Sequence, residues 1–187
     1  MPLVPALQVL VDLRREQIVV TTMGTAREWP KLSRHALDFH YVPSAMGQAP
    51  MLGLGLALAQ PAREVIAFNG DGCTLMNLGC LVTIVASGVK NLTLIVLDNG
   101  VYEVTGGQPT AGSAARTDFA GLARAASFTS VAAFDDMKVW RTRAAETLAL
   151  PGPRFVVLSV DRVQDYELLP PGPMPEQIAR FRSALGT

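Results

Sequence analysis

The chain has 187 residues, 49% of them hydrophobic and 17% charged, which suffices for one well-buried core but not for two ordinary domains; a single domain over residues 1–187 is expected. Basic and acidic residues number 16 each, so no net field exists to attract nucleic acid or a membrane surface. The apolar stretch Met51–Ala59 is far shorter than the roughly 20 residues a bilayer span requires, and the N-terminus lacks the pattern of a secretory signal. A cytoplasmic protein is therefore expected.

In chain order, a helical pattern over Pro5–Arg15 precedes short β-branched runs at Ile18–Thr22 and Phe39–Val42. A helix over Ala49–Ala59, a strand over Val65–Asn69, a helix over Thr74–Ser87 and a strand over Leu92–Leu97 follow. Beyond these come a helix over Phe119–Ala126, a strand over Phe128–Ala132, a helix over Met137–Leu148 and a strand over Phe155–Val160. Asp118 and Asp135 or Asp136 stand where they would cap the last two helices. The tail from Asp161 carries Pro170, Pro171, Pro173 and Pro175 before an amphipathic stretch, Glu176–Leu185, expected to pack on a neighbour or fray. Alternation of this kind predicts an α/β protein of three layers, α/β/α, around a mainly parallel six-stranded sheet.

Ligands of such sheets collect beyond the carboxyl ends of the strands, which singles out the loops that follow them. Four are predicted: Met23–Arg27, Pro43–Gln48, Gly70–Cys73 and Asp98–Thr110. The last contains Gly100, Gly106, Gly107 and Pro109, as a mobile or ligand-ordered loop would.

Gly70-Asp71-Gly72 closes one apolar strand, and Asp98-Asn99-Gly100 closes the next. A strand–helix–strand unit brings Asp71 and Asn99 to one sheet edge, and both offer oxygen. A hard cation such as magnesium takes one or two side-chain oxygens and completes its octahedron from phosphate and water, so a phosphate-bridging magnesium fits. Gly70 and Gly72 would let the backbone turn sharply and approach an anion. The first amides of the following helix would point at the same anion. Asp-Gly and Asn-Gly also mark ordinary turns, but here one leads into a helix and the other into a long loop; neither is a hairpin context.

The two cysteines, Cys73 and Cys80, have no metal-cluster spacing and read as reduced thiols, and the two histidines, His35 and His40, read as structural or surface residues. A thiol at a helix start can be reactive, but a small residue beside a phosphate explains Cys73 more simply. Gly53-Leu54-Gly55 lacks the preceding strand of a dinucleotide fingerprint. Thr74–Ser87 is apolar nearly all round, so one side should cover the sheet and the other meet a partner subunit.

The run NGDGCTLMNLGCLVTIVASGVKNLTLIVLDNG resembles the thiamine diphosphate fingerprint, with 26 residues between Gly72 and Asn99. With SAMG, GLGLALA, LMNLG, LDNGVYEV and GGQPT around it, the chain is similar to the thiamine diphosphate-dependent decarboxylases of the sulfopyruvate (β subunit) and phosphonopyruvate (C-terminal domain) type. The resemblance implies Asp71, Asn99 and the backbone carbonyl of Val101 as magnesium ligands. It implies Gly70, Gly72, Cys73 and Tyr102 beside the diphosphate, and Gly24 and Thr25 on the other side. Met46 would sit beneath the bend of the cofactor as its one catalytic side chain, pressing the aminopyrimidine against the thiazolium. The Ser44 carbonyl and the Met46 amide would hold the pyrimidine edge. Without the resemblance Met46 reads as an ordinary core methionine. Relatives often have Gly-Ser-Met-Gly where this chain has Ser44-Ala45-Met46-Gly47, which leaves the 2-oxo acid substrate open. Glu103 reads either as a substrate contact or as a solvated carboxylate.

The resemblance also implies a glutamate contributed by a pyrimidine-binding domain, for which one 187-residue sheet domain has no room. A hetero-oligomer with a pyrimidine-binding α subunit is therefore expected, or a homo-oligomer through the diphosphate-site face, with the isolated chain nearly inactive. A carboligase subunit and a non-catalytic cofactor-binding module are the alternatives. A 2-oxo acid oxidoreductase subunit would need electron carriers, and the sequence has no cysteine clusters to hold them.

Overall fold

Val65–Gly70 and Leu92–Asp98 are buried almost throughout and pair side by side in the middle of a sheet, where helices cover both faces. In a computed structural model, which describes residues 1–163 and 172–186, that sheet has six strands. Numbered along the chain, they are β1 (Ile18–Thr21), β2 (Asp38–His40), β3 (Val65–Gly70), β4 (Leu92–Asp98), β7 (Ser130–Phe134) and β8 (Arg154–Ser159). β5 (Val101–Tyr102) and β6 (Gln108–Pro109) form a separate antiparallel hairpin. The sheet order is β2-β1-β3-β4-β8-β7, with every pair parallel.

The helices are α1 (Leu3–Leu13), α2 (Met23–Leu32), α3 (Ala49–Ala59), α4 (Asp71–Met76), α5 (Cys80–Ala86), α6 (Ala111–Ala115), α7 (Phe119–Ala125), α8 (Met137–Ala149) and α9 (Met174–Leu185). One core layer joins Leu54 of α3, Leu81 and Ile84 of α5, Phe119 of α7 and Phe181 of α9 to one face of the sheet. The other joins Leu7 and Leu10 of α1, Trp29 of α2 and Trp140 of α8 to the opposite face. Three layers result, as expected. The indole of Trp140 donates to the Ala6 carbonyl at 3.1 Å, tying α8 to α1.

Several boundaries differ from the sequence reading. Met23–Arg27, expected as a loop, is the start of α2; Thr21 ends the strand, and Thr22 is the N-cap, its amide donating to the Thr25 hydroxyl. Thr74–Ser87 is not one helix but the end of α4, a break at Asn77–Gly79, and α5. Asp118 and Asp136 do cap α7 and α8, accepting amides at 2.8 and 2.9 Å. The amphipathic stretch Glu176–Leu185 falls within α9, which packs on its own sheet rather than fraying. There Gln177 brackets the backbone of His40, donating to its carbonyl and accepting from its amide, while Phe181 stacks 5.1 Å from Phe39. Those contacts cover the β2 edge, which would otherwise offer unpaired backbone groups. Pro170 and Pro171 lie outside the described residues. Among the described residues no helix is long and apolar enough to cross a membrane.

Candidate functional site

From β1 the chain runs outward to β2 and then returns across β1 to β3, so the strand order reverses between β1 and β3. α2 leaves β1 on one face of the sheet, while α4 and α5 leave β3 on the other. The segments beyond the two carboxyl ends diverge there and open a crevice, the position at which ligands of doubly wound sheets bind.

A cavity at this point is lined from one side by Thr22, Met23, Gly24 and Thr25, and from the other by Asn69, Gly70, Asp71, Gly72 and Cys73. Met46 stands on its wall, and Asn99, Val101, Tyr102 and Glu103 close it from the loop after β4. The register explains the meeting of Asp71 and Asn99. Gly70 pairs with Leu97, so Asp71 stands one residue and Asn99 two residues beyond the same rung of the ladder. Of the residues singled out from sequence, Ser44 is off this wall; its hydroxyl accepts from Thr22 at 3.0 Å behind the lining.

Asp71 is the first residue of α4 and only 2% exposed. Burial pushes its carboxyl above the ordinary carboxylate range; the hydrogen bond from Thr110 opposes this and the charge of Asp98 adds to it. Thr110 donates to Oδ2 at 2.8 Å. Asn99 presents Oδ1 to the Val101 amide at 3.1 Å, which leaves that oxygen a second lone pair. Among the described residues no three His, Cys, Asp or Glu side chains gather as a metal cluster. A cation placed here would meet a carboxylate, an amide oxygen and backbone carbonyls, and a bound molecule or water would have to supply the rest. That all-oxygen set suits magnesium.

Two glycines shape the wall. A β-carbon on Gly72 would lie 2.3 Å from Cε1 of Tyr102 and 3.0 Å from Cγ2 of Thr110, so the ring of Tyr102 rests on bare backbone. Gly47, at φ +81°, would place a β-carbon 2.8 Å from the Cys73 carbonyl oxygen. Asn77 donates to the Gly47 carbonyl at 2.9 Å, and together these contacts clamp the Met46 loop to the α4–α5 corner. Gly70 departs from expectation: its φ of −90° and the nearest contact of a β-carbon at 4.0 Å give it neither a special turn nor a tight approach.

Other corrections concern the elements around the cavity. The break at Asn77 leaves α4 with six residues, so local amides rather than a long helix dipole face the cavity. The loop after β4 holds the β5–β6 hairpin, which was not anticipated; Asn99-Gly100 precedes it and is not its turn. Glu103 is 8% exposed, accepts the Val163 amide at 2.7 Å and lies 3.6 Å from Arg27, which rules out a solvated carboxylate. Burial raises the Cys73 thiol, the reverse of an activated nucleophile. Cys80, buried against the sheet, is pushed up to about 11.

Sequence reasoning gave no role to Thr110 or Asn69. Thr74 donates its hydroxyl hydrogen to the Gly70 carbonyl at 2.8 Å, so it must accept from Nδ2 of Asn69 at 2.9 Å. Oδ1 of Asn69 is thereby left as a buried acceptor without a partner among the described residues. The only forewarning was position: Asn69 directly precedes the Gly-Asp-Gly run, and Thr110 ends GGQPT.

A parallel sheet with a crevice at its switch point, walled by a buried carboxylate, an asparagine and bare glycine backbone, defines a binding domain for a phosphorylated ligand. The family model described as the thiamine pyrophosphate enzyme, C-terminal TPP binding domain matches residues 19–158, and the chain belongs to that family. It is 38% identical to phosphonopyruvate decarboxylase of Streptomyces viridochromogenes over 182 residues, covering 96% of this chain and 45% of that one. It is 32% identical to the sulfopyruvate decarboxylase subunit beta of Methanothermobacter thermautotrophicus, over 84% of this chain and 80% of that one. The chain thus spans about half the length of the phosphonopyruvate enzyme but most of the sulfopyruvate subunit. The fold is shared with an enzyme from Mycobacterium smegmatis assigned as thiamin diphosphate-dependent (TM-score 0.70, 20% identity, 88% of this chain and 32% of that one).

Proposed function

We propose that the chain is the diphosphate-holding subunit of a thiamine diphosphate- and magnesium-dependent 2-oxo acid decarboxylase of the sulfopyruvate or phosphonopyruvate type. The observation that carries this reading is the convergence of Asp71, Asn99 and Met46 on one cavity at the switch point of the sheet. When bound, the cofactor supplies the electron sink for the loss of carbon dioxide. The chain's own residues bind and orient it. Asp71 and Asn99 give side-chain oxygens and Val101 its backbone carbonyl to magnesium. The amides of Gly72 and Cys73, next to Gly70 and Tyr102, face the diphosphate, and Gly24 and Thr25 close the opposite wall. Met46, held by the Gly47 clamp, would support the cofactor from the cavity wall, and the Ser44 carbonyl, from off that wall, would hold the pyrimidine.

The activating glutamate comes from a pyrimidine-binding partner chain in this reading, and two features support that. The chain is similar to proteins named as β subunits. Met76, Leu78 and Val82, on α4, the break and α5, are 54%, 37% and 61% exposed, an apolar strip beside the cavity. Two free cysteines are in keeping with a cytoplasmic enzyme.

Calorimetric titration with thiamine diphosphate, with and without magnesium, tests the site. Wild type should bind only with the metal, and Asp71→Ala should lose at least about 100-fold in affinity, the scale of one lost charged ligand at 2.7 kcal/mol or more. Equal, metal-independent binding by both proteins defeats the assignment. Decarboxylation by the purified chain alone, at the rate of a pair reconstituted with its α chain, would defeat the subunit reading.

A further inference from the structure

Thr110 stands where two parts of the site meet. It is 1% exposed, and its hydroxyl accepts the Ser113 amide at 3.2 Å, capping α6. The hydroxyl's single hydrogen therefore goes to Oδ2 of Asp71, 39 residues away, at 2.8 Å. Its backbone amide donates to the Gly100 carbonyl at 2.9 Å, closing the base of the β5–β6 hairpin directly beside Asn99. Its methyl lies against the bare backbone of Gly72. One residue thus ties the carboxylate at the start of α4 to the loop that carries Asn99, Val101 and Tyr102.

We propose that Thr110 is a positioning residue for the cation site, an inference that rests on the metal assignment made above. By engaging Oδ2 it fixes the carboxylate plane, so that the group is offered to the cavity in one orientation. A small octahedral cation takes a carboxylate through one oxygen and tolerates little error in its direction, so a preset plane favours it. The same hydrogen bond holds the hairpin down while Asn99 and the Val101 carbonyl are brought to the metal. A competing effect runs the other way: the hydroxyl occupies a lone pair that a cation could use. Outer partners that orient a metal ligand typically contribute 10- to 100-fold in affinity. A carboxylate offers about four acceptor positions, and with the Thr110 hydroxyl and the backbone amides of Gly72 and Asp71 engaging this one, a position remains for a cation. Orientation therefore outweighs competition.

The test uses manganese as a paramagnetic probe in the presence of thiamine diphosphate, with free metal read by electron spin resonance. Thr110→Val, which keeps shape and loses the hydroxyl, should weaken manganese binding about 10- to 100-fold, and Thr110→Ser should restore wild-type affinity. Equal or tighter binding by Thr110→Val overturns the positioning role, as does failure of Thr110→Ser to restore it. Hydrogen exchange on the wild-type chain gives a second readout that does not depend on how well the valine variant folds. The Val101 and Thr110 amides should gain protection when manganese and cofactor are added together, and unchanged protection overturns the link between hairpin and metal. Wild type that binds no manganese even with the cofactor present would fail the metal assignment itself, a result separable from a wild type that binds and a valine variant that matches it.

Discussion

Asp71→Asn should make the ligand-free chain more stable and the ligand-bound chain less so. The carboxylate is 2% exposed, and the charged group acting on it is Asp98, which is of the same sign. The hydrogen bond from Thr110 is available to the asparagine oxygen as well, and burial outweighs both that bond and the backbone amides of Gly72 and Asp71 that favour the charge. Burial raises the folded-state pKa above the ordinary 3.8, so ionisation of Asp71 favours the unfolded chain. The sign follows from linkage: the contribution of this group is full below its unfolded pKa and is lost as pH rises through the folded pKa. At neutral pH the wild type bears the whole cost and the asparagine variant none of it.

Stability gains of this kind are commonly about 0.5–2 kcal/mol, and a chain of this size shifts its melting temperature by about 2–4 °C per kcal/mol. The ligand-free variant should therefore melt about 1–8 °C above wild type. Thiamine diphosphate with magnesium at a hundred times its dissociation constant should stabilise wild type by about 2.7 kcal/mol, or about 5–11 °C. The variant, short of a charged ligand, should gain little, so the order of the two melting temperatures reverses on adding ligand. Scanning calorimetry at neutral and mildly acidic pH, with and without ligand, measures all four states. The ligand-free gap should narrow in acid as wild-type Asp71 takes up its proton. A ligand-free variant that melts below wild type, with a gap indifferent to pH, would refute the claim that the carboxylate is held at a cost.

Two further outcomes follow from close approaches. Gly72→Ala puts a β-carbon 2.3 Å from the Tyr102 ring; overpacking of about 1–3 kcal/mol should displace the hairpin and lower cofactor affinity roughly 5- to 150-fold, with Tyr102→Ala in the same chain recovering part of it in the same titration. Gly152→Ala would place a β-carbon 1.9 Å from the Lys90 carbonyl oxygen, a backbone atom ahead of β4 that cannot swing aside. It should destabilise by about 3 kcal/mol or more, read as a lower urea midpoint, while leaving the cavity's ligand preference unchanged in the fraction that folds.

What could be read from sequence, and what could not, divides along physical lines. β3 and β4 are covered on both faces, so their residues are apolar without interruption and announce themselves. Ala49–Ala59 came out with its observed bounds because Pro50 starts it and a polar segment ends it. α2 was hidden: Pro30 lies within its last turn, and its buried side chains include Arg27 and Glu28, a 2.9 Å ion pair that breaks any apolar period. β7 lies two residues later than expected because Phe128, which looks like strand, instead packs edge-on against Phe155 at 5.3 Å before the ladder begins. At the site, Asp71 and Asn99 could be paired because each directly follows a recognisable strand, so topology converts their sequence spacing into proximity. Thr110 has no such anchor. It follows a two-residue strand, and its contact to Asp71 spans 39 residues through a hairpin too short to leave a periodic signature. Sequence therefore displays the groups that a sheet delivers to its edge, whereas the residues that aim those groups become visible only when the loops are seen closed upon one another.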